Sequence, residues 1–362
     1  MKKRKIQASS FAPIADDHIL EVRNLKVDIA VDDYILNAVR GVSFSLKKGE
    51  TLGLVGESGC GKSVTSKEIL GINPSNCRSE GEILYRTKSG KVVNLLTLER
   101  NGAEFRAIRG AEISMIFQEP MTAFSPLYTI GNQLSEIILL HDPHATRADA
   151  RRQVLDMLKK VGIANPEKRI DQYPHEFSGG MRQRAMIAMA LICEPKLLIA
   201  DEPTTALDVT IQAQILELMK DLQKKENTSI IFITHNLGVV AEICDRVSVM
   251  YAGRIVEQGL VQDIFYRPQH PYTKGLIAST PRLDKEDQER LVPIEGTPID
   301  LLNPPSGCNF GPRCKNCMKI CLREKPPYAQ VGEGHISACW LHFMNHGSGE
   351  AAGTGKENTA NE

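Results

Sequence analysis

The chain has no surplus of charge of either sign. Lys and Arg together number 44, Asp and Glu together 44, and the formal net charge is zero. A protein working mainly on nucleic acid or anionic lipid carries a basic excess, so neither is expected as the principal partner. Long apolar runs are missing too. None reaches ~18 residues, so no membrane-spanning helix is expected. The basic start Met1-Lys2-Lys3-Arg4-Lys5 meets Ala15-Asp16-Asp17-His18 before any apolar core develops, which excludes a secretory signal. These absences place the chain in the cytosol, where thiols stay reduced and disulfides are not expected. At 362 residues it is long enough for one large domain and an appendage.

What the chain does have is Gly56-Glu57-Ser58-Gly59-Cys60-Gly61-Lys62-Ser63, the pattern G-x-x-x-x-G-K-S. The apolar run Thr51–Val55 precedes it and a helical stretch, Lys62 to Leu70, follows. The motif needs that strand–loop–helix setting. Its glycines let the backbone curl into a nest of N–H donors at a helix N-terminus, where negative charge is favoured. Lys62 suits the β- and γ-phosphates of a nucleotide and the Ser63 hydroxyl suits Mg²⁺. Cys60, beside a helix N-terminus and two residues from Lys62, is expected to be a reactive thiolate, with a small inert residue as the equally weighted alternative.

Around this loop the pattern is α/β. Residues 1–17 and 346–362 read as a disordered leader and tail. Short β-type runs begin at Ile19-Leu20-Glu21-Val22 and Val42–Leu46, and 81–85 with 92–95 read as a hairpin through Lys88-Ser89-Gly90. Between Phe117 and Ser178 the pattern is helical. Thr146 and Asp149 form a capping box, and Ala150, Val154, Leu158 and Val161 share a face before Gly162 stops the helix. Leu197–Ala200 and Ser229–Thr234 are apolar without alternation, as strands buried on both faces of a parallel sheet are. Rising proline density places a boundary near residue 260, with an extension to 345.

Asp201-Glu202 ends the first of these strands and His235 the second. In open α/β sheets ligands sit at the carboxyl ends of strands, so all three fall on the edge that carries the phosphate loop. Asp201 then suits the Mg²⁺ shell, and Glu202 the orientation or deprotonation of an attacking water. Alone, Asp-Glu is more often a solvated strand end, His235 a structural histidine and Gln118 an ordinary loop residue. The phosphate loop reverses that weighting. Ser178-Gly179-Gly180, opening a helical run, is a second phosphate nest with no local use, and it suits the site of another subunit.

Gly56–Ser63, Gln118, Ser178–Gly180, Asp201-Glu202, Ala206-Leu207-Asp208 and His235, in that order, resemble an ATP-binding cassette ATPase over residues 18–260. Gln118-Glu119-Pro120-Met121-Thr122, the run Asp201–Thr210, His270-Pro271-Tyr272-Thr273 and the cysteine-bearing tail further resemble the D-type ATPase subunit of bacterial oligopeptide and dipeptide importers. The resemblance implies a P-loop ATPase core with an antiparallel β subdomain and a helical signature lobe at about 119–178. It implies that Lys62 and the backbone from Gly56 to Val64 hold the ATP phosphates, and that Ser63, Gln118 and Asp201 hold Mg²⁺. Glu202 would be the general base, with His235 at the γ-phosphate. Ser178, Gly179 and Gly180 would cap ATP on a second, different ATPase subunit, with Asp208 at the seam. Two permeases and an extracytoplasmic peptide-binding protein would complete the assembly at the cytoplasmic face of the membrane, with coupling through residues 119–140. Tyr34 is the nearest aromatic for stacking on adenine. Two other readings share these motifs: an importer for nickel or glutathione, and a soluble cassette protein acting on nucleic acid.

Of nine cysteines, Cys308, Cys314, Cys317, Cys321 and Cys339 crowd into 32 residues. In a reducing compartment that reads as metal binding, with inert thiols as the bland alternative. Four thiolates suit Zn²⁺ or an iron–sulfur centre, and His335 and His342 widen the zinc options. The importer resemblance implies a four-iron four-sulfur cluster on Cys308, Cys314, Cys321 and Cys339, leaving Cys317 over.

Overall fold

Two β-sheets organise the chain in the computed structural model, which describes residues 14–118, 123–204, 208–279 and 293–346. The first is antiparallel, of β1 (His18–Val31), β2 (Tyr34–Lys47), β4 (Cys77–Arg86) and β5 (Val92–Asn94), in the order β2-β1-β4-β5. Alternation builds it: Val42, Phe44 and Leu46 are buried while Ser43 and Ser45 turn toward solvent. The hairpin expected through Lys88-Ser89-Gly90 is present, with Leu84 opposite Asn94 and Arg86 opposite Val92.

The second sheet holds β3 (Thr51–Val55), β6 (Ile113–Ile116), β7 (Leu197–Asp201), β8 (Ser229–Thr234), β9 (Arg246–Tyr251), β10 (Arg254–Leu260), β11 (Ala329–Gly332) and β12 (His335–Ser337). Its order is β11-β12-β10-β9-β3-β8-β7-β6, with β9-β3-β8-β7-β6 parallel and the other pairings antiparallel. Every residue of β3, β6, β7 and β8 is buried, which explains their predominantly apolar sequence. Because these strands run the same way, Val55, Asp201 and Thr234 end at one edge.

Helices Ile130–His141, Arg147–Lys160 and Gly179–Leu191 pack as a lobe beside β6. The Thr146–Asp149 capping box is formed, and Gly162 follows the helix at φ 74°. Among the described residues no helix is long and apolar enough to cross a membrane.

One buried carboxylate helps close the chain beyond residue 260 against the core. Glu257 in β10 accepts hydrogen bonds from the amides of Gln269 (2.7 Å) and His270 (2.8 Å) and faces His335 Nε2 at 2.7 Å. His270 itself is buried, and its Nδ1 accepts from the Tyr272 amide at 3.1 Å, capping helix Pro271–Ala278. Burial, with a smaller contribution from His342, pushes the His270 pKa down to about 3. An unfolded histidine titrates near 6.5, so the folded value lies below the unfolded one. Above pH 6.5 both states are neutral. As pH falls below it the unfolded chain takes a proton that the folded chain refuses, and stability is lost down to about pH 3. His270→Asn, which retains a capping oxygen, should flatten the acid limb by about 1.4 kcal/mol per pH unit, one proton's worth. Denaturant titrations from pH 6.5 to 4 measure it, and identical slopes would refute it.

Candidate nucleotide site

The loop from Gly56 to Ser63 joins β3 to helix Lys62–Ile69. Gly56 has φ +150° and Gly61 φ +102°, and a Cβ on either would meet backbone, at 2.1 Å from the Met250 oxygen and 2.6 Å from the Ala38 oxygen. Glycine is required at both for the backbone to approach so closely. Lys62 is buried and reaches back across the loop, donating to the carbonyls of Gly56 (2.7 Å) and Glu57 (3.0 Å). The first amides of the helix, with no carbonyl ahead of them in the helix, make the loop a setting for an anion.

Asp201 lies buried at the end of β7, where it lines one cavity with Ser63. Burial pushes its pKa up, the Ser63 hydroxyl opposes this, and Glu202 adds to the rise. Its Oδ1 is buried and accepts no hydrogen bond. A buried carboxylate oxygen without a donor, beside a serine hydroxyl, fits a hard divalent cation. Gln118 and Lys67 line the adjoining cavity of about 520 Å³ with Ser63 and Asp201, and Met115, Met186 and Met189 form its apolar wall.

Glu202 adopts the left-handed conformation (φ 49°), unusual for a residue with a side chain, and its amide bonds the Ile233 carbonyl at 2.8 Å. That turn aims its carboxylate between two partners. Oε2 accepts from Gln118 Nε2 and Oε1 faces His235 Nδ1, both at 3.1 Å. With Nδ1–H donated to the carboxylate, a neutral His235 offers Nε2 as an acceptor, and only the imidazolium donates from both nitrogens.

Ser178 caps helix Gly179–Leu191, its Oγ accepting from the Met181 amide at 3.3 Å. Space around Gly179 is open, while a Cβ on Gly180 would touch Ile211 at 3.3 Å. Asp208 caps the neighbouring helix Val209–Glu226 by accepting from the Ile211 amide at 2.9 Å. Gln183 Nε2 donates to the Pro203 carbonyl, joining the signature helix to the chain just past Glu202. Glu119–Thr122 and Thr205–Leu207 lie outside the described residues, as do Pro281, residues 1–13 and the tail from 347. Tyr34 opens β2 and is 66% exposed.

One expectation is overturned. Cys60 is 4% exposed, and burial, outweighing Lys62 at 3.7 Å, pushes its thiol pKa up. It is a buried neutral thiol and not a reactive thiolate. His335 Nε2 is held by Glu257, and His342 Nε2 by Ser337 Oγ at 3.0 Å. Cys308, Cys314, Cys317, Cys321 and Cys339 all come close enough for each to act electrostatically on others of the group, and Cys308 N donates to the Cys321 carbonyl at 2.7 Å. Burial raises Cys308 to about 11 and lifts Cys314 and Cys339 as well. Cys317 is exposed. Among the described residues no group of three or more His, Cys, Asp or Glu is arranged to hold a single metal ion.

Two contacts to the loop had no signal in the sequence. Tyr272 OH accepts from the Glu57 amide at 2.9 Å, and Arg313 holds the Glu57 carboxylate through both Nη atoms, at 2.6 and 3.0 Å.

Fold and site together define an ATPase of the ABC transporter class: residues 39–205 match the family described as ABC transporter. Residues 256–321 match the family described as oligopeptide/dipeptide transporter, C-terminal region, and the chain belongs to the ATP-binding subunits of ABC peptide transporters. It is 56% identical over 327 residues to the dipeptide transport ATP-binding protein DppD of Bacillus subtilis, covering 90% of this chain and 95% of that one. With the oligopeptide transport ATP-binding protein OppD of the same organism it shares 53% over 325 residues, covering 89% of this chain and 88% of that one. A dimeric ATP-binding cassette bound to ADP and Pi has the same fold, with a TM-score of 0.59 at 24% identity over 67% of this chain and 99% of that one.

Proposed function

We propose that this chain is the ATP-hydrolysing, energy-coupling subunit of an importer for dipeptides or oligopeptides. The observation that carries the reading is the gathering of Lys62, Ser63, Asp201, Glu202, His235 and Gln118 at one sheet edge. The close similarity to peptide-transport subunits supplies the cargo class.

Lys62 and the amides from Gly56 through Ser58, Gly59, Cys60 and Gly61 to Val64 would bind the phosphates. Ser63, Gln118 and Asp201 would hold Mg²⁺, which when bound neutralises phosphate charge. Glu202, aimed by its backbone turn and braced by Gln118 and His235, would take the proton of the attacking water. Ser178, Gly179 and Gly180 would close the site of a second ATPase subunit, with Asp208 at the seam. Closure would drive two permeases fed by an extracytoplasmic peptide-binding protein, with this subunit docked on the cytoplasmic face of the membrane.

The organisation we propose is a cassette at 18–260 with its lobe at about 119–178, and a Cys-rich extension at 261–345. Cys308, Cys314, Cys321 and Cys339 would hold a four-iron four-sulfur cluster. Their mutual proximity supports this, and thiolates around a cluster stand farther apart than those around one ion. Co-expression with the neighbouring permease genes and anaerobic purification tests the whole reading. The complex should hydrolyse ATP faster when peptide-loaded binding protein is added, and should carry about four iron and four sulfide per chain. A complex indifferent to peptide sinks the cargo assignment, and an iron-free preparation sinks the cluster.

A further inference from the structure

We propose that Arg313 is a positioning residue for the nucleotide-binding loop, holding the Glu57 carboxylate away from the phosphates and so fixing the loop's shape. The inference rests on reading residues 56–63 as the phosphate site.

Arg313 comes from the chain beyond the core strands, 256 residues from Glu57, and its side chain is only 4% exposed. Its two Nη atoms grip both carboxylate oxygens. The remaining donors are used as well: Nε bonds the Glu295 carbonyl at 3.0 Å, Nη2 the Ile294 carbonyl at 3.2 Å, and Nη1 approaches Tyr251 OH at 3.5 Å. The guanidinium also stands 5.8 Å from the centre of the Tyr251 ring. A planar fork with this many fixed acceptors is an arginine site that lysine cannot reproduce.

Glu57 is immobilised at every polar group. Its amide goes to Tyr272 OH, its carbonyl accepts from Lys62 Nζ, and its carboxylate goes to Arg313. Glu57 sits inside the loop that must receive several negative charges. Unpaired, its carboxylate would repel them at close range. Arg313 removes that repulsion and, through two parallel bonds, sets the direction of the chain at the loop's second residue.

The competing account is that the pair only staples the C-terminal segment to the core. Arg40, whose Nη1 bonds Asn309 Oδ1 at 3.1 Å, makes another core-to-segment contact that does not involve the loop, and it serves as the control. Equilibrium titration of the full chain with a fluorescent ATP analogue, alongside thermal melting, separates the two. Lys62→Ala should lower affinity by ~10²; if it binds normally, the reading of the loop itself fails, whatever Arg313 does. Arg313→Met should raise Kd about tenfold and Arg40→Met should leave it unchanged. Adding Glu57→Gln to Arg313→Met removes the unpaired carboxylate and should restore Kd to within about threefold of the parent. An unchanged Kd in Arg313→Met, equal losses in Arg40→Met, or no recovery in the double variant each overturns the proposal. Should Arg313→Met not fold, Arg313→Lys decides: a rise of about threefold supports it and none refutes it.

Discussion

Glu202→Gln is expected to leave ATP binding intact and to lower turnover of the assembled transporter by ~10² or more. The carboxamide matches the carboxylate in shape, and its oxygen still accepts from Gln118 Nε2 or His235 Nδ1, now 3.1 Å from the two carboxylate oxygens. Its nitrogen donates instead of accepting, so one of the two braces is kept only if His235 changes tautomer or Gln118 turns its oxygen inward. More important, the group no longer takes a proton from water. Binding survives because the phosphate contacts come from the loop and Lys62, on a different strand end. A rise in KM without a fall in kcat would identify Glu202 as a binding group instead. The measurement needs a homogeneous complex in which the partner's own site is silenced, since one working site masks the loss at the other. Near-normal turnover there would remove Glu202 from the mechanism.

Much of this site was legible because the residues at strand ends are fixed by the burial of the strands themselves. Leu197–Ala200 and Ser229–Thr234 have no polar face, which demands a two-sided parallel sheet and puts Asp201 and His235 beside the loop. Two helix starts were equally readable: Thr146 forms its capping box and Ser178 opens the helical run that follows it, whereas the cap that Asp208 supplies to Val209–Glu226 was not read. The left-handed turn at Glu202 was not, since it depends on the bond between its amide and Ile233 on the neighbouring strand. Cys60 failed for a related reason. Local charge argued for a thiolate, but the thiol lies within 2.9 Å of where a Gly56 Cβ would stand, and its carbonyl accepts from Gly253 at 2.9 Å. Burial by distant chain outweighed the nearby lysine. Strands β11 and β12 join the sheet edge some 78 residues after the strand they extend, as the Glu257–His335 pair records. Tertiary contacts at that separation leave no periodicity to read.

Ser178→Arg should spare ATP binding to this chain and cut hydrolysis on its partner subunit by ~10² or more. Ser178 is already committed to its own helix, where its Oγ accepts from the Met181 amide and its position starts Gly179–Leu191. Among the described residues, none outside its chain neighbours and its own helix backbone lies within 4 Å of where a Gly179 Cβ would stand, so this helix start faces open space. A helix N-terminus with two glycines behind its cap offers amides at close range to an anion. In the reading proposed above, the phosphates bound by this chain would be served by a different nest, at Gly56–Ser63. Gly180 is different, because Ile211 stands against it and a substitution there would disturb the two helix starts within this chain. Ser178 is therefore the cleaner probe. Arginine brings bulk into the space where the second nucleotide would sit, and it removes a cap worth ~1 kcal/mol, too little to unfold the lobe. With this chain's Glu202 replaced by Gln, the residual activity belongs to the partner's site, and that activity is the one that should vanish. Hydrolysis that persists there, or a crosslink from Ser178 to ATP on its own chain, would show that the signature does not act across the pair.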